Sequence, residues 1–357
     1  MKQLCPNRLD YLDNIKWFLA IIVIFHHSLD KSKLLYLQYY TSFNDITAFN
    51  QSFFMDLFFF ISAYFLIPSI LKKGRYAFNK DKIIRLGGAV LIGSLIVNYV
   101  SSKLEFGSRF SSSSFWSYYY THFTNLQWHD LMGVTWFCWA LLIFTLIWSL
   151  LIKNSNIQNK NDEPLPSFFK IIAFCLIMLP INYFAIELNH KVDGSDLGFF
   201  SIKWFPTYIA SFIFGIKSYQ NNWLEKINLK YAIFGLILCL FFFDGTITHF
   251  LLGLTFVGDD SYDFFRTPCA IGMILFLLYI FKRFFNHSNR VTKVLACASF
   301  PAYVVQFIFL NSLFKSIPPA VSWNPWVITL VIGVISVICS FTIGIILYRL
   351  PFFKRIF

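Results

Sequence analysis

Residues 325–348 read PWVITLVIGVISVICSFTIGIILY, a run of 24 residues without a charged side chain. An α-helix rises about 1.5 Å per residue, so this run is long enough to cross the roughly 30 Å hydrocarbon core of a bilayer. It is also too uniformly apolar for the amphipathic surface helix of a soluble domain. The run therefore predicts a membrane-spanning helix.

The composition extends this prediction to the whole chain. Of the 357 residues, 57% are hydrophobic and 13% are charged, whereas a soluble domain has roughly 25% charged residues. The same figures exclude collagen, intrinsic disorder and a disulfide scaffold. At about 20 apolar residues per crossing, we predict an all-α polytopic membrane protein, one domain over residues 1–357 with about ten transmembrane helices and no additional soluble domain. The predicted spans lie near residues 12–29, 51–71, 84–101, 132–152, 168–186, 204–219, 230–244, 265–281, 294–314 and 325–348.

The charges predict the orientation of these spans. The loop 72–85, KKGRYAFNKDKIIR, carries six basic residues and one acidic residue, and basic loops stay in the cytoplasm. Counting outward from it places both termini in the cytoplasm. The segment Thr246 to Val257 is too short to cross and is expected to be re-entrant or interfacial. The net charge of +12 then reflects lysines and arginines concentrated in cytoplasmic loops, and we expect the lipid bilayer but no nucleic acid as a partner.

Ionisable residues inside the apolar segments are candidates for function, because they are costly to bury in a membrane. His26 and His27 lie near the outer end of the first span, and Asp56 lies at a similar depth in the second. Such a histidine and carboxylate could act as a general base on a hydroxyl. The alternative is an interfacial histidine bonded to a backbone carbonyl. Neighbouring residues on a helix differ by about 100° in direction, so we expect only one of the two histidines to face a cavity.

Two further segments each allow two interpretations. Lys82 and Arg85 are three residues apart at the predicted start of the third span, so that their side chains and the first backbone amides could bind a phosphate. Alternatively, the whole basic loop is an anchor to anionic lipid headgroups. The aromatic segment 115–128, FWSYYYTHFTNLQW, is either a platform for sugar rings or an interfacial aromatic belt.

Several stretches resemble one known family, the acyltransferase 3 family of integral-membrane enzymes, which includes the periplasmic-glucan succinylation protein. Lys16 and His27 match the family's arginine, ten residues, then histidine, with lysine in the arginine position; this spacing selects His27 over His26. Met55 to Leu66, MDLFFFISAYFL, is similar to the family block around an aspartate. Asp81 to Gly87, DKIIRLG, is similar to its R-x-x-R segment with Lys82 for the first arginine. Weaker similarity continues at Trp136-Phe137, residues 204–208 and residues 299–306.

The resemblance implies a multi-pass O-acyltransferase of the cell inner membrane, most often an O-acetyltransferase. Its co-substrate would be cytoplasmic acyl-CoA, with no bound cofactor and no metal, and its acceptor a hydroxyl of an extracytoplasmic glycan such as lipopolysaccharide O-antigen. His27 would be the catalytic base, held by Asp56. Direct transfer and an acyl-histidine intermediate both remain open. The expected acyl-CoA-binding residues are Lys16, Arg75, Lys82 and Arg85.

Two other functions fit parts of the same pattern. A transporter or flippase of a glycan or lipid intermediate would also place charged groups at both ends of a helical bundle. However, the chain has no repeat symmetry and no pair of helices broken by glycine or proline. An inactive relative that acts as a scaffold would account for the two lysines that replace family arginines. Consumption of acyl-CoA separates the enzyme from both.

Overall fold

The computed structural model describes residues 9–106, 115–125, 128–152, 162–192, 201–243, 260–317 and 323–356. These residues are 89% helical and contain no strand. Eight helical segments among them are long and apolar enough to cross a membrane. The prediction of an all-α polytopic membrane protein is therefore confirmed at this level.

These eight segments cover eight of the ten predicted spans, and the other two spans also contain a helix. The spans near 204–219 and 230–244 correspond to helices of 16 and 15 residues, or roughly 24 and 22 Å. The count of ten spans and the cytoplasmic termini stay predictions. The predicted re-entrant segment, Thr246 to Val257, lies outside the described residues.

The described residues up to position 152 form ten α-helices. They are α1 (Asp10–Leu35), α2 (Tyr40–Gln51), α3 (Phe54–Tyr64), α4 (Leu66–Lys73), α5 (Arg75–Lys82), α6 (Gly88–Ile92), α7 (Asn98–Phe106), α8 (Phe115–Thr124), α9 (Trp128–Met132) and α10 (Trp136–Leu151).

The second half contains eight further α-helices in the described ranges. They are α11 (Phe168–Lys191), α12 (Phe205–Gln220), α13 (Trp223–Lys226), α14 (Leu229–Phe243), α15 (Asp260–Phe264), α16 (Arg266–Phe284), α17 (Arg290–Ser316) and α18 (Pro325–Arg349).

The basic segment 72–85, expected as a loop, is mostly helical. Only Gly74 interrupts it, with a φ of +76° that suits a residue without a side chain. Beyond α5 the chain continues without a break through two π-helical segments, Ile83–Gly87 and Gly93–Val97. The third predicted span therefore begins several residues earlier than its apolar run.

Glycines allow two pairs of helices to approach closely. An added Cβ at Gly235 of α14 would lie 2.5 Å from the carbonyl oxygen of Gly272 on α16, and one at Gly272 would lie 2.3 Å from that of Gly235. An added Cβ at Gly215 of α12 would lie 2.2 Å from the carbonyl oxygen of Phe60 on α3. Small residues bring helix backbones together in membranes, where packing rather than hydrophobicity drives association.

Candidate active site

Two cavities among the described residues are lined by predicted site residues, and the larger of these two is lined by both predicted histidines. This histidine cavity has a volume of about 770 Å³. Aromatic side chains and polar groups share its wall, a mixture suited to a polar ligand that also has apolar faces. Its charged or titratable lining residues are His26, His27, Asp30, Lys33, Glu105, Tyr118, His122, Asp130, Lys203, Tyr262, Asp263, Arg266 and Tyr303.

The smaller cavity, of about 500 Å³, is the basic cavity. Four cationic side chains and two carboxylates line it, so that it carries an excess of positive charge. Lys73 bonds to Asp81 at 2.8 Å, and Lys16 bonds to Asp13 at 3.1 Å. The charged lining residues are Asp13, Lys16, Lys73, Asp81, Lys82 and Arg85.

Helix α1 joins the two cavities along one of its faces. Lys16 lines the basic cavity and His27 lines the histidine cavity. Eleven residues correspond to about three full turns and a rise of about 16 Å, so the two side chains project from the same face of the helix. The eleven-residue spacing of Lys16 and His27 therefore places one of these side chains in each cavity.

Both histidines line the histidine cavity, so the expectation that only one would do so is wrong. The His26 ring packs edge-on against Phe54 at 5.0 Å, and the His27 ring lies 4.7 Å from that of Phe307. The cavity is wide enough to touch two adjacent positions of α1. Asp30, one turn further along α1, interacts electrostatically with His27.

The predicted pairing of Asp56 with a histidine is also wrong. The carboxylate of Asp56 accepts hydrogen bonds from Arg266 Nη2 at 3.1 Å and from Ser211 Oγ at 3.2 Å. The side chains of Arg266 and Asp56 are 1% and 0% exposed. A buried carboxylate is most stable beside a buried cation, and the guanidinium of Arg266 occupies that place.

Arg266 was not among the sequence candidates, although it lines the histidine cavity. It also donates to the hydroxyl of Tyr208 at 3.1 Å, and its guanidinium lies over the rings of Tyr208 and Trp204. Its Nε has no hydrogen-bond partner among the described residues. In the sequence, Arg266 lies close to Asp263 at the start of an apolar run. A cation is common at such a position, so only the closeness of Arg266 to acidic residues indicated a role.

Three of the four residues expected to bind acyl-CoA line the basic cavity: Lys16, Lys82 and Arg85. Arg75 does not. Its Nη1 and Nη2 atoms donate to the carbonyl oxygens of Ser149 and Ile152, both at 2.6 Å. These carbonyls lie at the C-terminal end of α10, where a helix leaves its last acceptors unpaired and a cation is favourable. Arg75 therefore holds α10 in place.

The basic cavity has no helix N-terminus at Lys82 and Arg85. Lys82 is the last residue of α5, and Arg85 lies in the π-helical segment Ile83–Gly87 that continues it. The expected contribution of helix N-terminal amides at this point is therefore wrong. The wider π turn changes the direction of the side chains, and such turns are frequent at functional sites.

Helix α8 arranges residues 115–124 of the aromatic segment into two faces. Tyr118 and His122 line the histidine cavity, one turn apart, and their rings lie 4.1 Å from each other. Trp116 and Tyr120 are 78% and 73% exposed. Burial raises the pKa of Tyr118, so its hydroxyl stays protonated and able to donate at neutral pH. One face suits ligand contact and the other suits a membrane interface.

The fold and the cavities define a helical membrane protein with a basic cavity and a histidine cavity in one bundle. A family model described as an acyltransferase domain, that of acyltransferase 3, matches residues 9–345, nearly the whole chain. The chain therefore belongs to the acyltransferase 3 family, and this family implies a membrane acyltransferase. No curated protein and no solved structure matches it.

Proposed function

We propose that the protein is a membrane O-acyltransferase that moves an acyl group, acetyl in the first instance, from cytoplasmic acyl-CoA to a hydroxyl of an extracytoplasmic glycan. The observation that carries the proposal is the pair of cavities in one bundle, one basic and one lined by His27, with α1 running between them. In this proposal, one cavity binds the acyl donor and the other binds the acceptor.

The basic cavity is the proposed donor site. The charges of Lys16, Lys82 and Arg85 suit the phosphates of CoA, because charge-assisted hydrogen bonds to phosphate are stronger than neutral ones. Lys73 lies in the same cavity and adds a fourth cation. Lysine binds phosphate as a point charge rather than with the two-pronged contact of arginine, so the two lysine replacements keep the charge that the site needs.

The histidine cavity is the proposed acceptor site. Tyr118 and Trp136 line it as rings on which a sugar can stack, and Asp130 lines it as an acceptor for sugar hydroxyls. His27 removes the proton of the attacking hydroxyl as a general base. Asp30 favours the imidazolium that forms, the role that the sequence had suggested for Asp56.

The pathway between the sites follows helices that reach both. Helix α17 contributes Cys297 and Phe300 to the basic cavity and Phe307 to the histidine cavity, and α10 contributes Phe137 and the preceding Trp136 in the same way. The thin pantetheine arm of CoA would lie along this pathway. Its thioester then reaches the histidine cavity while its phosphates stay at the basic end.

The test is mass spectrometry of surface glycans from cells with the gene, without it, and with His27→Ala. We expect one ester-linked acyl group to be lost in the deletion strain and in the His27→Ala strain. His26→Ala is the matched control, since it removes a neighbouring imidazole from the same cavity, and it should keep most of the acyl group. Unchanged glycans in the deletion strain, with wild-type protein present in the parent membranes, would contradict the proposal and favour transport or scaffolding.

A further inference from the structure

The histidine cavity and the basic cavity share one lining residue within the described part of the chain, Tyr303. Its side chain is buried, and its ring lies 6.4 Å from that of Phe137, which lines the basic cavity. Its hydroxyl donates a hydrogen bond to the carbonyl oxygen of Val134, which lines the histidine cavity. Tyr303 therefore stands at the junction of the two cavities.

The junction lies close to the proposed base. Tyr303 and Phe307 are four residues apart on α17, or one turn and about 6 Å along the helix axis. The ring of Phe307 packs 4.7 Å from that of His27. Tyr303 and His27 are thus neighbours, through Phe307, on one wall of the histidine cavity.

We propose that the Tyr303 hydroxyl is a catalytic group that binds the carbonyl oxygen of the thioester; this inference rests on the proposed function. When acyl-CoA fills the junction, the Tyr303 hydroxyl no longer donates to the carbonyl oxygen of Val134 and donates instead to the carbonyl oxygen of the thioester. Both are carbonyl acceptors, so the exchange keeps the number of hydrogen bonds constant. The thioester is then held at the junction, one helical turn along α17 from Phe307, whose ring packs against that of His27.

The chemical step balances with these two residues. The acceptor hydroxyl gives its proton to His27 while its oxygen bonds to the thioester carbon, and negative charge develops on the carbonyl oxygen. The Tyr303 hydroxyl donates to that oxygen, and a donor placed where charge develops stabilises the transition state more than the substrate. The carbon–sulfur bond then breaks, the thiolate of CoA takes the proton from His27, and the acceptor keeps the acyl group as an ester.

The test compares Tyr303→Phe with wild type in membranes from the deletion strain, which supply the acceptor, with acetyl-CoA as the probe. Loss of the hydroxyl should lower kcat roughly 100-fold and leave the KM for acetyl-CoA within about threefold, because the charged side chains of the basic cavity are unchanged. Tyr11→Phe is the matched control, since Tyr11 is a buried tyrosine that lines neither cavity. It should keep the wild-type kcat.

The outcomes separate this inference from the proposed function. A Tyr303→Phe enzyme with the wild-type kcat overturns the inference, and so does a loss that lies wholly in the KM for acetyl-CoA. A structural role would lower the melting temperature and the amount of folded protein seen by size-exclusion chromatography in detergent. A fall in kcat that matches this loss of folded protein also overturns the inference. Wild-type membranes that transfer no acetyl group contradict the proposed function itself.

Discussion

At the scale of single residues, the pair formed by Asp56 and Arg266 is the most consequential contact that the structure adds. Both side chains are buried, and the guanidinium also bonds to Tyr208. Removal of one partner from a buried ion pair leaves an uncompensated charge and costs roughly 3–5 kcal/mol. We therefore expect Asp56→Ala to lower the stability of the protein in detergent by that amount, as measured by its unfolding midpoint.

A double variant tests whether the loss comes from the unpaired charge. Asp56→Ala combined with Arg266→Met removes both charges, and an apolar replacement of a buried pair is often neutral for stability. The double variant should thus be more stable than Asp56→Ala alone. If it is less stable than either single variant, the pair does not act on stability as described.

The same pair shows how far the candidate site could be predicted. Lys16, His27, Lys82 and Arg85 could be found from the sequence because ionisable residues beside apolar runs are few, and the family spacing selected among them. The partner of Asp56 could not, because it is 210 residues away along the chain and both histidines lay at a plausible depth. Distant pairings depend on how the helices pack, which no local pattern contains.

At the scale of helices, the segment from α5 into the π turn supplies Lys82 and Arg85 to the wall of the basic cavity. Lys82 lines the cavity, whereas Lys80, on the same helix, is exposed and does not. We expect Lys82→Gln to raise the KM for acetyl-CoA about tenfold, because a charge-assisted hydrogen bond contributes about 1.5 kcal/mol. Steady-state kinetics in membranes measures this value.

Lys80→Gln and Lys82→Arg are the controls for that prediction. The first removes an exposed charge from the same helix, and the second keeps the charge at the cavity, so both should leave the KM near the wild-type value. An equal rise in KM for Lys80→Gln and Lys82→Gln would mean that the basic segment acts only through its overall charge, as a membrane anchor does.

The contact between α14 and α16 is a second test at this scale. A methyl group at Gly272 would meet the backbone of α14 at 2.3 Å, and overpacking of this kind typically costs about 1–3 kcal/mol. Gly272→Ala should therefore lower the unfolding midpoint. Gly87→Ala, whose new methyl group would lie 3.8 Å from Leu142, should not. Equal stability of the two variants would refute the close helix contact.

At the scale of the whole molecule, the bundle connects two chemically different sites. Helices α1 and α17 both run from the basic cavity towards the histidine cavity, and α10 returns in the opposite direction. The sequence predicted the helical class, because a long uncharged run can satisfy its backbone hydrogen bonds inside a bilayer as a helix. It did not predict the cavities, because their walls combine residues from helices that are distant in the chain.

The proposed function predicts that the acyl donor binds on the cytoplasmic side of the membrane and the acceptor on the other side. The basic segment that supplies Lys73, Lys82 and Arg85 is the one that the positive-inside rule places in the cytoplasm. The segments around Lys203 and Asp263 reach the histidine cavity and belong to the predicted outer side. Transfer should therefore proceed across the membrane, from acyl-CoA on one face to a hydroxyl on the other.

The most direct measurement uses radiolabelled acetyl-CoA and two sealed preparations of the same cell membranes, one inside-out and one right-side-out. We predict that label enters the glycan only when acetyl-CoA is added outside inside-out vesicles, where the cytoplasmic face is accessible, and that His27→Ala abolishes this incorporation. Incorporation in right-side-out vesicles alone, or equal incorporation by wild type and His27→Ala, would contradict acyl transfer from the basic cavity to a hydroxyl activated by His27.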